Sequence, residues 1–208
     1  MEKKELKKIN YEFHKWKKEL LILDGILSIL VLMFVGIFKP DFVVIAAYFL
    51  TIPYLILSER KNLLFHLLIS SVLAVFWMVI AKNNYLYNQK FVSILGINSF
   101  ALFSWAIGLF GVYLVYSHYE HFFKFKGFVK KMLFFIMLYF PLLIFVETIA
   151  YNFFNIKNIS AAAYNGLMIC NCIHAPFWMK ISYFLLGPIF FYVCYLLKLE
   201  NPHYKLKR

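Results

Sequence analysis

The sequence predicts an all-α fold, a polytopic bundle of membrane-crossing helices, and three observations carry that prediction. The 208 residues are 63% hydrophobic and 21% aromatic but only 15% charged, whereas a soluble domain is about 45–50% apolar and about 25% charged. Mean hydropathy is +0.72. The apolar residues fall into separate stretches of the length that spans a hydrocarbon core about 30 Å thick at about 1.5 Å per residue. With 8 Gly and 6 Pro, a fibrous repeat or a low-complexity linker is excluded, and so is disorder.

Taken in order, residues 1–19 come first. Leu6, Ile9, Phe13, Trp16 and Leu20 recur at alternating spacings of three and four, which draws one apolar stripe down a helix whose other faces carry Lys and Glu. This predicts an amphipathic helix in the inner membrane interface, its lysines on anionic headgroups. The segment is too basic for a signal peptide, and no small-residue cleavage site follows it. Six crossings then span about 20–38, 42–58, 62–81, 91–116, 130–151 and 181–197, and a basic tail occupies 198–208. A seventh candidate, 158–179, has no charge but contains Asn165, Gly166, Asn171, His174 and Pro176.

The net charge of +12 would suggest a nucleic-acid partner in a soluble chain, but no basic helix carries interleaved base-reading residues. The cations lie between apolar runs, as the positive-inside rule expects. With six crossings and both termini cytoplasmic, 17 of the 22 basic residues are inside and 5 outside. A seventh would make this 14 against 8. Six is the better fit, with 152–180 on the outer side. Membrane lipid is the expected partner, together with a lipophilic substrate; a protein partner or a homo-oligomer is left open.

A faint repeat pulls the other way. Tyr85, Gly108, Tyr113 and Tyr116 recur at one offset as Tyr164, Gly187, Tyr192 and Tyr195, and Pro53 and Glu59 are spaced as Pro141 and Glu147 are. This predicts a duplicated three-helix unit, 42–116 and 130–197, whose second copy is complete only if 158–179 crosses.

The strongest chemical candidate is Glu147. An ionisable group in hydrocarbon costs about 2.5–3.5 kcal/mol on insertion scales, so one that persists usually faces the bundle interior. Tyr151 and Asn155 continue its face at spacings of four, whereas Phe140 and Ile144 make that face apolar deeper in the membrane. The pattern predicts an outer-side cleft with an apolar floor, where Glu147 is a general acid or base, a ligand-binding or proton-relay group, or else a carboxylate bonded within its own bundle. His174 is its candidate acid–base partner, and Tyr164 and Asn165 are candidate substrate-binding residues beside Tyr151 and Asn155.

The helix layout and the run Phe145, Val146, Glu147, Thr148, Ile149, Ala150, Tyr151 resemble the lycopene cyclase-domain family of small membrane proteins. That family's signature is a proline, any residue, Glu, a second acidic residue and an aromatic three positions on. Glu147 and Tyr151 match it, Phe145 stands for the proline and Thr148 for the second carboxylate, so the acidic pair is incomplete. The resemblance implies three-helix units and a carotenoid or other isoprenoid substrate.

Cys170, Cys172 and His174 form C-x-C-x-H, a set of metal-ligating types without the spacing of a zinc knuckle, so buried thiols and a hydrogen-bonded histidine are expected and no metal or cofactor is predicted. Three cysteines are too few and too odd in number for a disulfide framework. Asp24 is expected to face headgroups or pair with a Lys of the first helix, and His66, Ser70 and Ser71 to bridge helices, with a proton relay at His66 as the alternative. Pro53, Pro141 and Pro188 are expected to kink their helices. Asn158-Ile159-Ser160 is a glycosylation sequon. No phosphate loop, nucleophile elbow or H-E-x-x-H occurs. The predicted function is binding of a lipophilic substrate with acid–base chemistry in the cleft; a non-catalytic membrane scaffold and a small transporter subunit are the alternatives, the last disfavoured by the scarcity of intramembrane charge.

Overall fold

A computed structural model describes residues 2–120, 127–199 and 201, with side chains from Lys18 onward. Six long helices follow one another: α1 (Glu2–Ile37), α2 (Pro40–Leu57), α3 (Leu63–Ala81), α4 (Ser99–Tyr119), α5 (Phe128–Thr148) and α6 (Phe177–Leu196). All six are long and apolar enough to cross a membrane, and the chain is a multi-pass membrane protein. Large apolar side chains such as Phe65, Phe76, Met137 and Leu57 stand exposed around the bundle, where a lipid-facing surface needs them.

Three sequence expectations change, while the layout of six crossings holds. α1 runs unbroken from Glu2 into the first crossing, so no turn separates an interfacial helix from it; the side chains of the predicted stripe up to Trp16 lie outside the described residues. α4 begins at Ser99 rather than at 91, because residues 93–98 form a hairpin of β1 (Ser93–Ile94) and β2 (Ile97–Asn98). Leu95 and Gly96 turn it with φ of 52° and 77°, and the Asn98 side chain accepts the Ala101 amide at 3.1 Å as the helix cap. Segment 158–179 does not cross: it is irregular up to Phe177 apart from one short turn, Ile159–Ala161. Its polar residues favour turns over helix, and the second half of the repeat therefore holds two long helices, not three. Pro53, Pro141 and Pro188 lie inside α2, α5 and α6, which run through them.

α4 is the central helix, packed on α2, α3, α5 and α6. Its Leu109, Phe110 and Tyr113 meet a core that includes Leu67, Met78, Phe135, Met179 and Phe190. α6 approaches α5 closely at Gly187, where a Cβ would stand 2.5 Å from Cδ1 and 2.6 Å from Cγ of Tyr139. That ring is held in place, since the Tyr139 hydroxyl donates to the Tyr183 carbonyl at 2.5 Å. Gly187→Ala is expected to force the two helices apart and lower stability by about 1–3 kcal/mol, read as a fall in melting temperature in a fixed detergent.

Asp24 of α1 and Asn201 beyond α6 both meet the far end of α4, at His118 and at Ser117 and Glu120, and buried charge concentrates there. Asp24 accepts two bonds from Arg60, at 2.7 and 2.9 Å, one from the Tyr54 hydroxyl at 2.5 Å, and lies 2.7 Å from His118 Nε2. Asp24 thus pairs with Arg60 and His118, not with headgroups or a lysine. Arg60, a loop cation by sequence, is fully buried; burial opposes its charge, but the Asp24 carboxylate holds the guanidinium above its ordinary pKa. Glu120 pairs with Lys131 at 2.5 Å and accepts from Asn201 at 2.9 Å. His66 stacks on Tyr113 at 4.0 Å, and its Nδ1 lies 3.3 Å from Asn62 O within its own helix. Ser71 does bridge helices, through Tyr48 at 2.8 Å, whereas Ser70 bonds only to Leu67 O.

Candidate ligand cavity

At the opposite end, two connections meet over the bundle. The α3–α4 connection and the α5–α6 connection pair at Tyr87 and Asn158. The Asn88 amide donates to Lys157 O at 2.9 Å and the Lys157 amide to Asn88 Oδ1 at 2.9 Å. Asn158 Oδ1 accepts the Leu86 amide at 3.1 Å and its Nδ2 donates to Asn84 O at 2.6 Å. The sequon asparagine is therefore engaged in holding this roof. Asp41, fully buried at the start of α2, accepts the Val92 amide at 2.8 Å and ties the hairpin to the same end.

Beneath the roof lies a cavity of about 180 Å³. α4 contributes Ala101, Ser104, Trp105, Gly108 and Val112; α5 contributes Tyr139, Leu142, Leu143, Val146 and Glu147; the roof adds Tyr85, Tyr87, Ile156, Ile173 and His174, and α6 adds Tyr183. Gly108 of α4 and Val146 of α5 both line the cavity and are exposed. Gly108 lies nine residues, about 14 Å, along α4. A Cβ built there meets nothing within 4 Å. At the terminal end the same helices close, with Tyr116 5.8 and 5.7 Å from Phe134 and Phe135. Aromatic packing thus bounds the cavity towards that end.

Glu147 lines this space and has no hydrogen-bond or ion-pair partner among the described residues. Its helix ends just beyond it in a π-helical turn, Ile149–Phe153, a distortion often found at functional sites. Tyr151 still faces the cavity and stacks on His174 at 4.5 Å, with the Lys157 ammonium 5.2 Å from the Tyr151 ring. The buried Nδ1 of His174 has no hydrogen-bond partner among the described residues. Burial first, and then the charges of Lys180 and Lys157, push its pKa down. Glu147 and His174 thus share one cavity, though no bond joins them.

Three predicted residues fall outside. Asn155 takes a left-handed φ of 52° that ends the helical face, and its carbonyl accepts Asn88 Nδ2 at 2.8 Å. Tyr164 and Asn165 are exposed, and the Asn165 carbonyl accepts the Lys180 ammonium. The irregular 154–176 segment carries both away from the space they were expected to line. Cys170 and Cys172 form a disulfide, while Cys194 is free and buried. The two are thus neither buried thiols nor available as a thiolate pair for C-x-C-x-H.

The sequence reading missed a hydrogen-bonded aromatic group in one wall. The Tyr85 hydroxyl accepts from Trp77 Nε1 at 2.9 Å and Trp105 Nε1 at 3.0 Å, and donates to the Tyr183 hydroxyl at 2.8 Å. Burial pushes the Tyr85 phenol up, as it does that of Tyr87, and the Glu147 carboxylate adds to the rise in both. Tyr85 stood out only as a repeat position, because nothing in sequence links residues 77, 85, 105 and 183. Tyr85→Phe strands two indole N–H groups and is expected to lower stability by about 2–3 kcal/mol, read by thermal unfolding. No family model matches the chain, and no curated protein or solved structure matches it.

Proposed function

We propose that the protein binds a lipophilic ligand of isoprenoid type, which enters from the bilayer between α4 and α5 and presents its reacting end to Glu147. The observation that carries this reading is a carboxyl without a partner among the described residues in the wall of a mostly apolar cavity that exposed residues of α4 and α5 line. Water-soluble ligands enter from the ends of a bundle, whereas a gap at membrane depth admits molecules dissolved in lipid. Small side chains at Ala101, Ser104 and Gly108 leave a groove along α4 for an unbranched or methyl-branched chain.

Acid–base chemistry follows from the lining. A proton given by Glu147 to a carbon–carbon double bond creates a carbocation, and the faces of Tyr85, Tyr87, Phe100, Trp105 and Tyr183 are suited to stabilise positive charge by cation–π attraction. Loss of a neighbouring proton to the same carboxylate closes the step, leaving an isomerised or cyclised product. The resemblance around Glu147 and Tyr151 supports this substrate class. The N- and C-termini are assigned to the cytoplasm from the distribution of Lys and Arg, which puts the cavity and the disulfide on the outer side, where disulfides persist.

Mass spectrometry of small molecules extracted from purified protein tests the reading, with wild type and Glu147→Gln compared at matched folding. A discrete isoprenoid or other lipid, about tenfold depleted in the variant, is expected for loss of one hydrogen-bonded contact worth about 1.4 kcal/mol. Bulk bilayer lipid alone, unchanged between the two, contradicts the reading and favours a non-catalytic scaffold.

A further inference from the structure

The Cys170–Cys172 disulfide encloses a single residue, Asn171. A cross-link stabilises a fold largely through the chain freedom it removes from the unfolded state, and that freedom grows with loop length. A ring this small removes little, so the bond makes a poor staple. Its backbone setting is unfavourable as well. Asn171 and Ile173, on either side of Cys172, have φ of 45° and 53°, and for a β-branched side chain this is a conformation that surrounding structure must enforce.

That structure is a tight tip packed on the cavity roof. The Leu167 amide donates to Cys172 O at 2.8 Å, and Leu167 O accepts the amides of Cys170 and Asn171 at 3.2 and 2.8 Å. The tip lies so close to Gly166 that a Cβ there would be 2.9 Å from His174 Cε1 and 3.0 Å from Cys172 O. The two sulfurs are not equivalent. Cys172 is fully buried, and its Sγ lies 3.6 Å from the hydroxyl of Thr148, the residue after Glu147. Cys170 is half-buried, in a tip whose Met168, Ile169 and Asn171 are exposed.

We propose that the Cys170–Cys172 bond is a thiol–disulfide exchange site for a dithiol donor that reaches the tip. The donor's thiolate attacks Cys170 Sγ, and the electrons of the S–S bond leave with Cys172 as a thiolate, towards which the Thr148 hydroxyl turns. The donor's second thiolate then attacks its own sulfur in the mixed disulfide and releases Cys170. Donor dithiol becomes donor disulfide, and two electrons and two protons pass to the protein's cysteines. Release of the ring frees Asn171 and Cys172, which directly precede Ile173 and His174, two residues of the cavity lining.

The test uses the full chain in lipid nanodiscs, held at graded ratios of reduced to oxidised dithiothreitol, alkylated and mapped by mass spectrometry, with Cys194 as internal control. Cys170 and Cys172 are expected to gain alkyl groups together while Cys194 stays unmodified and the helical circular-dichroism signal is unchanged. With glutathione, a monothiol, the adduct is expected on Cys170 over Cys172 by about tenfold or more, because access decides which sulfur is attacked. The proposal is overturned if the pair stays oxidised until Cys194 also reacts, if glutathione adds mainly to Cys172, or if both cysteines alkylate before any thiol is added.

Discussion

Asp24→Ala is expected to lower stability by about 3–5 kcal/mol, because it leaves the guanidinium of Arg60 buried without its counter-ion. Arg60 has no exposed surface, and once Asp24 is gone the remaining side-chain acceptor shown for it is Ser58 Oγ at 3.0 Å. The Tyr54 hydroxyl, 2.5 Å from the carboxylate, loses its acceptor at the same time. The four groups come from α1, α2, the α2–α3 turn and α4, so the loss is felt as a loosening of four segments at the terminal end. Thermal unfolding in one fixed detergent reads the effect. The double variant Asp24→Ala with Arg60→Met should recover most of it, since removing both charges removes the uncompensated one. A double variant no better than Asp24→Ala would show that the cluster holds the fold through shape rather than charge.

Gly108→Leu is expected to abolish ligand retention, about tenfold or more, while leaving the melting temperature unchanged or raised. The two halves of that expectation have separate causes. The new side chain projects into a space where a Cβ meets no atom within 4 Å, so it occupies the groove along α4 without displacing protein. Replacing a mid-helix glycine also favours the helix by about 0.5–1 kcal/mol. A variant that lost stability would mean that α4 needs Gly108 for packing. Mass spectrometry of retained small molecules, beside a melting curve on the same preparation, distinguishes the outcomes.

The crossings were legible because a run of about 20 apolar residues is a lipid-facing requirement written locally in the chain. Glu147 and Tyr151 were legible for the same reason, as polar groups in an apolar run at helical spacing. Asn155 was not: the face was extended by a regular period of 3.6, whereas the π turn at Ile149–Phe153 and the left-handed Asn155 end it. Tyr164 and Asn165 lie on an irregular segment, where no period fixes the direction of a side chain. The side-chain partners of Asp24 lie 30, 36 and 94 residues away, and Tyr85 meets Tyr183 across 98 residues. Such pairings arise from the antiparallel arrangement of the helices, which hydropathy alone leaves undetermined. Residues 91–98 are apolar enough to predict helix, but the positive φ of Leu95 and Gly96 turns a hairpin there instead.

The most direct test of the lateral cavity is photolabelling in native membranes with a diazirine-bearing geranylgeraniol, followed by peptide mapping. Label is expected to concentrate on the α4 and α5 peptides that carry Gly108, Val112, Leu143 and Val146, to fall with excess unlabelled alcohol, and to be lost in Gly108→Leu. Label spread over lipid-facing residues such as Phe65, Phe76 and Met137, and unchanged by competitor, would contradict the account.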